Sequence, residues 1–305
     1  MRSMQNAHRL ITPTQLALFS RSPVIGAWWE ELDARKLFHD SRPEGSSLDE
    51  LLQEQGHEHE GVLLDALELA HQDVYRQIPF NKGGPPVQHD YDATTAAMRQ
   101  GRQFIHQAAL HNDELRGWVD LLERIDRPSD LGKWSYIPIE CKLSSHPRPI
   151  YLVQACAYCE LLEPILGHRP EQFRLHLGGG AGQDTYPSER FWSWYRHLRR
   201  RYRQFIAGFD QQQCPEHAPG DHGRWDGWIE QQLQQQRDLV LVAGMRQSQR
   251  SKLRAGAIAT IDELAKWPAD QKVPDLDDAT LLRLREQAAI QLKSEASPGK
   301  PPRFE

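Results

Sequence analysis

The sequence predicts an α/β fold, a mixed central sheet flanked by helices, with a C-terminal helical region behind it. Three observations predict it. Two strand-like runs, 103–110 and 115–124, are joined by His111, Asn112, Asp113 and Glu114, polar residues that favour a turn, which makes a hairpin. A third strand-like run, 135–142, leads through the turn-rich segment 144–149 into an apolar helical stretch from about Ile150 to Leu166. Beyond about Leu233 the strand patterns stop and helical ones continue to about Lys293.

Taken in order, Thr12 and Thr14 around Pro13 start a helix that carries Leu16, Leu18 and Phe19, with Trp28 and Trp29 beyond. From Gly56 onward His59, Leu63, Ala66, Leu67 and Ala70 recur at helical spacing, which places His59 on the core-facing stripe and His57 off it. In the third strand Tyr136, Ile137, Ile139 and Cys141 favour extended backbone. Pro138 cannot donate to a ladder, which predicts an edge strand, a bulge or a strand start. Gly167 suits the end of the following helix. Residues 173–177 read as one more strand, broken by Gly178, Gly179 and Gly180 before a long helix over about 188–209. The predicted organisation is a domain at 1–232, a helical region at 233–293 and a tail or linker at 294–305 rich in Ser, Pro, Gly and Lys.

Composition limits the function. At roughly 150 residues per domain, 305 residues give ample room for a buried core. Four cysteines, Cys141, Cys156, Cys159 and Cys214, are few for this length, and residues 1–10 lack the apolar stretch of a signal peptide. Together these predict the reducing cytoplasm. Apolar runs such as 239–243 are far too short to cross a bilayer, so no membrane span is predicted. The net charge of −5 lacks the Lys and Arg excess of a general nucleic-acid binder, so any DNA contact must come from local patches.

The chemistry gathers on three separated elements: Asp120 in Gly117-Trp118-Val119-Asp120, the run Glu140-Cys141-Lys142, and Gln154 with Tyr158. Strand residues two apart point the same way, so Glu140 and Lys142 share a face. Asp120, from the adjoining strand, would join Glu140 as a second hard carboxylate ligand for Mg²⁺ or Mn²⁺. Gln154 and Tyr158, one helical turn apart, can both look back at the cleft. Phosphodiester hydrolysis needs a metal to polarise phosphate and activate water, and a cation to bear developing charge. Lys142 would be that cation, or would orient or deprotonate the water. His59, a nitrogen ligand, would complete the metal shell and make Mn²⁺ at least as acceptable as Mg²⁺. An acid and a lysine around any residue is by itself a weak pattern. Asp270-Gln271-Lys272 also matches, but it lies between Pro268 and Pro274 with no strand around it and reads as a solvated loop.

In these residues the chain resembles the RecB-like branch of the PD-(D/E)XK nucleases over nearly its whole length. The matching positions are the histidine-bearing 56–60, the Gly-x-x-Asp of Gly117 to Asp120, the Glu140 and Lys142 pair, and the Gln-x-x-x-Tyr of Gln154 and Tyr158. Residues 95–101, 131–136, 239–249 and 284–291 narrow the resemblance to the nuclease portion of proteins often fused to a helicase or ribonuclease-H-like region. It implies a restriction-endonuclease-like fold and hydrolysis of DNA, single strands or ends in particular, in repair or processing. Asp120, Glu140, His59 and the Cys141 backbone carbonyl would serve as metal ligands, and Asp120, Glu140, Lys142, Gln154 and Tyr158 as catalytic groups. Many relatives also hold an iron–sulfur cluster through four cysteines. Here Ser20-Arg21-Ser22-Pro23, His222 and Trp225 stand where cysteines are expected, so no cluster is predicted. A module that binds DNA without cutting, accessory to a helicase, is the alternative.

The remaining motifs have plainer readings. Cys156 and Cys159 on one helix read as small buried residues. Cys214, His217 and His222 lack a fourth zinc ligand. The stretch 57–60 lacks the second histidine of a zinc-protease helix, and Gly178 to Gly180 lacks the Lys-Ser or Lys-Thr of a nucleotide cradle. The helix with Arg196, Arg199, Arg200, Arg201 and Arg203 also carries Trp192, Trp194, Tyr195 and Tyr202. It can be a single-strand-binding face or an amphipathic core helix. Arg246, Arg250, Lys252 and Arg254 ahead of Gly256-Ala257-Ile258 resemble a helix-hairpin-helix turn, which would either meet a phosphate or serve as a structural cap.

Overall fold

A computed structural model describes residues 9–38, 47–70, 72–77, 79–80, 84–180 and 182–295. The chain divides into two compact units, Met1–Cys214 and Pro215–Glu305.

The first unit opens on α1 (Pro13–Arg21) and α2 (Ile25–Ala34). Thr12 caps α1 as the sequence predicts: its hydroxyl accepts from the Gln15 amide at 3.2 Å and the Gln15 side-chain oxygen accepts from the Thr12 amide at 3.1 Å. Then follow α3 (Ser47–Leu69), β1 (Val74–Arg76), α4 (Gln88–Arg99), β2 (Phe104–His111), β3 (Arg116–Ile125), β4 (Ser135–Lys142), α5 (Pro149–Leu166), β5 (Gln172–Leu177), β6 (Gly182–Pro187) and α6 (Glu189–Ala207). The predicted hairpin, third strand, connecting helix and following strand are all present. Gly167 ends α5 in the left-handed conformation, φ 74°.

The six strands form one mixed sheet in chain order. The pairs β1–β2 and β4–β5 are parallel, the other three antiparallel. One face carries Leu64 of α3 on Phe104, Leu121 and Ile139. The other buries Ala108, Val119, Leu122, Tyr136, Phe173 and Leu175 with α1, α5 and α6. β6 was not predicted because Gly-Gln-Asp-Thr-Tyr-Pro has no apolar alternation. It pairs on one side only and stays exposed apart from Tyr186.

Pro138 corrects the expectation of an edge or strand-start position, since β4 lies between β3 and β5 and Pro138 pairs with Leu122 in mid-strand. A proline can occupy only a non-hydrogen-bonded pair there, which turns its nitrogen toward β5. Pairing with β5 begins only at Ile139, so no ladder bond is lost.

The second unit holds α7 (Asp226–Gln235), α8 (Gln247–Ala255), α9 (Ile261–Lys266) and α10 (Asp278–Glu295) around Leu239, Leu253, Ile258, Leu264 and Leu284. Its boundary lies ahead of the 232/233 division read from the sequence. Arg250, 1% exposed, ties the segment after Cys214 to this core by donating to the His217 carbonyl and pairing with Glu216 and Asp238. Of the tail expected at 294–305, residues 294–295 close α10 and the rest lies outside the described residues.

Candidate active site

Side-chain alternation breaks at Gln107 and Asp120 although the β2–β3 register holds on both sides. Pairs His106↔Leu121 and Ala108↔Val119 flank Gln107 and Asp120, and Gln107 takes φ 51°. On one side of the break Leu121 packs with α3; on the other Val119 packs with α5. Asp120 therefore sits where β3 turns away from β4, one step past the last pair, Leu121↔Ile139. Its carboxylate replaces the missing ladder acceptor: the Cys141 amide donates to Asp120 Oδ2 at 2.8 Å. That single bond brings Asp120 to the peptide between Glu140 and Lys142.

Glu140, 2% exposed, accepts from the Lys142 ammonium at 2.5 Å, as alternation in β4 predicts. The ammonium also lies 5.5 Å from the Tyr151 ring of α5. Tyr158 donates its hydroxyl to the Trp118 carbonyl at 2.7 Å, bracing β3 two residues before Asp120. Gly117 leaves the room for this, because a Cβ there would lie 2.9 Å from Pro13 Cδ and 3.4 Å from the Tyr158 ring. Gln154 is half-buried one turn earlier on α5, and its side chain has no hydrogen bond among the described residues. Behind Lys142, the Gly178 amide donates to the Lys142 carbonyl at 2.8 Å. A Cβ on Gly178 would fall 2.2 Å from the Leu143 carbonyl oxygen.

Burial raises the Asp120 carboxyl well above the usual carboxylate range, and repulsion from Glu140 adds to it. Glu140 is raised in the same way by burial, against the pull of Lys142. Burial alone would lower Lys142, but the Glu140 and Asp120 charges outweigh it and hold the amine as an ammonium. Tyr158 is pushed up by burial and then by Glu140 and Asp120, so it remains a phenol donor.

Glu60 of α3 is the group the sequence did not single out. Its Oε1 lies 2.8 Å from both His106 Nε2 and the Gln107 carboxamide, at the break opposite Asp120. Burial would raise it, but those bonds hold it below the usual range, and its charge acts on both Asp120 and Glu140. It lies next to His59 in the same run, and helical periodicity does not say which neighbour reaches the break.

His59 itself is not brought to the carboxylates. Its ring stacks on His176 at 4.8 Å and 18°. His176 pairs with Cys141, whose side chain alternates away from Glu140 and Lys142. His59 Nε2 is buried without a hydrogen-bond partner.

Glu140 Oε2 is likewise buried and unpartnered. An orphaned carboxylate oxygen beside a second carboxylate of raised pKa fits a hard divalent cation, since Mg²⁺ is held by one or two carboxylates with water and phosphate completing its shell. Among the described residues no group of three or more His, Cys, Asp or Glu side chains is arranged to hold a metal. The donors that fit are thus Asp120 and Glu140, with the Cys141 carbonyl beside them.

The other motifs resolve differently. Cys156 and Cys159 are buried in α5, as predicted, and burial pushes the Cys156 thiol up to about 12. The helix-hairpin-helix-like turn does not present free amides. Those of Gly256, Ala257 and Ile258 donate to carbonyls of α8, and the Glu263 carboxylate accepts from Ala259 at 2.7 Å and Thr260 at 3.0 Å, where a phosphate would have to bind. Three of its four cations are occupied too, Arg246 staying exposed without a carboxylate partner among the described residues. Arg250 and Arg254 pair with Asp238 and Glu216, and Lys252 donates to the Asp275 carbonyl. These bonds favour the structural cap of the two readings.

Compared with known proteins, the chain matches no family and no curated relative.

Proposed function

We propose that the chain is a metal-dependent phosphodiester hydrolase acting on DNA, a nuclease of the PD-(D/E)XK type with a restriction-endonuclease-like first unit. The observation that carries this reading is the Asp120 carboxylate bound to the amide between Glu140 and Lys142. It gathers two buried acids and an ammonium at the end of an interior strand. Asp120, Glu140 and the Cys141 carbonyl would hold Mg²⁺ or Mn²⁺, which when bound supplies a polarised phosphate and an activated water. Lys142, kept charged, stabilises the negative charge that develops on the phosphate. Tyr158 fixes β3 through Trp118, and Gln154, whose side-chain carboxamide has no competing bond among the described residues, is available to orient Lys142 or a phosphate oxygen. His59 is left out of the metal shell, and Glu60 adds the third negative charge that favours a cation there.

The test is incubation with end-labelled single- and double-stranded DNA in Mg²⁺, Mn²⁺ or chelator. Cleavage is expected with either metal and none in chelator. Glu140→Gln and Lys142→Ala should each lower it by about 10²-fold or more, the scale of losing one charge-stabilising group. Cutting in chelator, or at the wild-type rate by both variants, overturns the proposal.

A further inference from the structure

Helix α6 leaves a basic, aromatic face that the candidate site does not use. Its inner side is settled: Tyr195, Leu198 and Tyr202 are buried in the main core. Arg199 pairs with Glu114 and Glu160, and Arg203 with Glu114. The outer side is different. Arg190, Trp194, His197 and Arg201 follow one another at i, i+4, i+7 and i+11, a single stripe along the helix, with Arg196 and Arg200 beside it at i, i+4. Arg196, His197, Arg200 and Arg201 are exposed, and none of the four arginines has a carboxylate partner among the described residues. The helix's one acid, Glu189, is already paired with Arg169. Trp194 is 40% exposed, although indole is otherwise buried or half-buried on this helix.

We infer that this face of α6 is a docking surface for single-stranded nucleic acid, with the arginines following the phosphates and the Trp194 indole stacking on a base. Charge selects the occupant. In a chain of net charge −5, four arginines without acids on one helix are a local positive surface that an anionic polymer complements. The exposed indole selects the strand state, because bases within a duplex are already stacked and a single strand presents free faces. The inference borrows from the nuclease reading only the class of partner, and its test uses no cleavage.

The full chain is titrated against fluorescein-labelled oligothymidine in chelator, by anisotropy, at several salt concentrations. Trp194→Ala should weaken single-strand binding by roughly 5- to 100-fold and leave binding to a duplex of equal length unchanged. Arg196→Ala with Arg200→Ala should flatten the slope of log affinity against log salt by about 1.4, two phosphate contacts on a single strand. Because Arg196 and Arg200 are exposed, their double variant should unfold at the wild-type temperature, and for Trp194→Ala the unchanged duplex binding is the control on folding. Lys133→Ala, a control on an exposed residue elsewhere, should bind as wild type. The inference is overturned if wild type does not bind, if the α6 variants bind within twofold of it, or if Trp194→Ala weakens duplex and single strand equally. Binding that depends on α6 in a protein that cuts nothing in Mg²⁺ or Mn²⁺ would leave this inference standing and remove the nuclease proposal.

Discussion

Two neighbouring glycines separate the cost of folding from the cost of chemistry. In Gly178→Ala the new Cβ would meet the Leu143 carbonyl oxygen at 2.2 Å and its carbon at 2.8 Å, both backbone atoms that cannot rotate away. Ordinary contact is roughly 3.5 Å, so the two segments must part by about 1 Å. Overpacking of this kind costs about 1–3 kcal/mol, and stretching the Gly178 amide bond to the Lys142 carbonyl adds about 1 kcal/mol. The total is roughly 2–4 kcal/mol, taken at the end of β4 that carries Lys142. A displacement near 1 Å there should slow cleavage on the order of 10²-fold. Gly180→Ala is the control, with nothing within 4 Å of its Cβ and φ +76°. It should cost only about 1 kcal/mol and leave the rate unchanged. Urea unfolding gives the stabilities and the end-labelled DNA assay the rates. Equal stabilities, or wild-type cleavage by Gly178→Ala, would refute the coupling of this turn to Lys142.

Other outcomes follow from the same geometry. Glu60→Gln should raise the metal concentration needed for half-maximal cleavage by about 10- to 100-fold, measured by Mn²⁺ titration; an unchanged titration would remove Glu60 from the site. Asp120→Asn keeps an oxygen for the Cys141 amide but loses a charge whose protonation is favoured in the fold. The metal-free variant should therefore gain about 1 kcal/mol at neutral pH while losing activity. Because the raised carboxyl costs stability wherever the unfolded acid is ionised, that gain should begin to shrink as pH falls through the folded pKa and vanish only below the ordinary aspartate value, about pH 4. Asp238→Ala should destabilise the second unit by about 3 kcal/mol by stripping the buried Arg250 of its main partner. Asp238 is held below its ordinary value, burial notwithstanding, by the bonds from Arg250 and the Val240 amide. Its contribution should persist above about pH 4 and disappear as acid protonates it, read as an unfolding midpoint against pH. Tyr158→Phe leaves the Trp118 carbonyl without its buried donor and should cost about 1–3 kcal/mol. Gln154→Ala breaks no bond among the described residues and should change stability by less than about 0.5 kcal/mol while slowing cleavage. A large stability loss in Gln154→Ala would count against its role.

What the sequence determined by itself lies within single elements. Period-two alternation places Glu140 and Lys142 on one face, and the structure joins them in an ion pair. Thr12 with Gln15, and Gly167 at a left-handed position, set the ends of α1 and α5 through bonds that reach only a few residues along the chain. Relations between elements were not legible, because they depend on register and twist. Pro138 argues locally for an edge, yet β4 runs through the interior since pairing with β5 starts one residue later. The basic stretch 246–254 reads equally as a phosphate site or a structural cap, and only the fold brings Asp238 and Glu216 to Arg250 and Arg254 and Glu263 to the amides of the turn. His59 and Glu60 are adjacent on α3, and only the break at Gln107 decides that Glu60 faces Asp120 while His59 stacks on His176. Local patterns act through a few bonds and fixed periods, but which groups converge on Asp120 is settled across the sheet, at Gln107 and Asp120, where side-chain alternation breaks while the register holds.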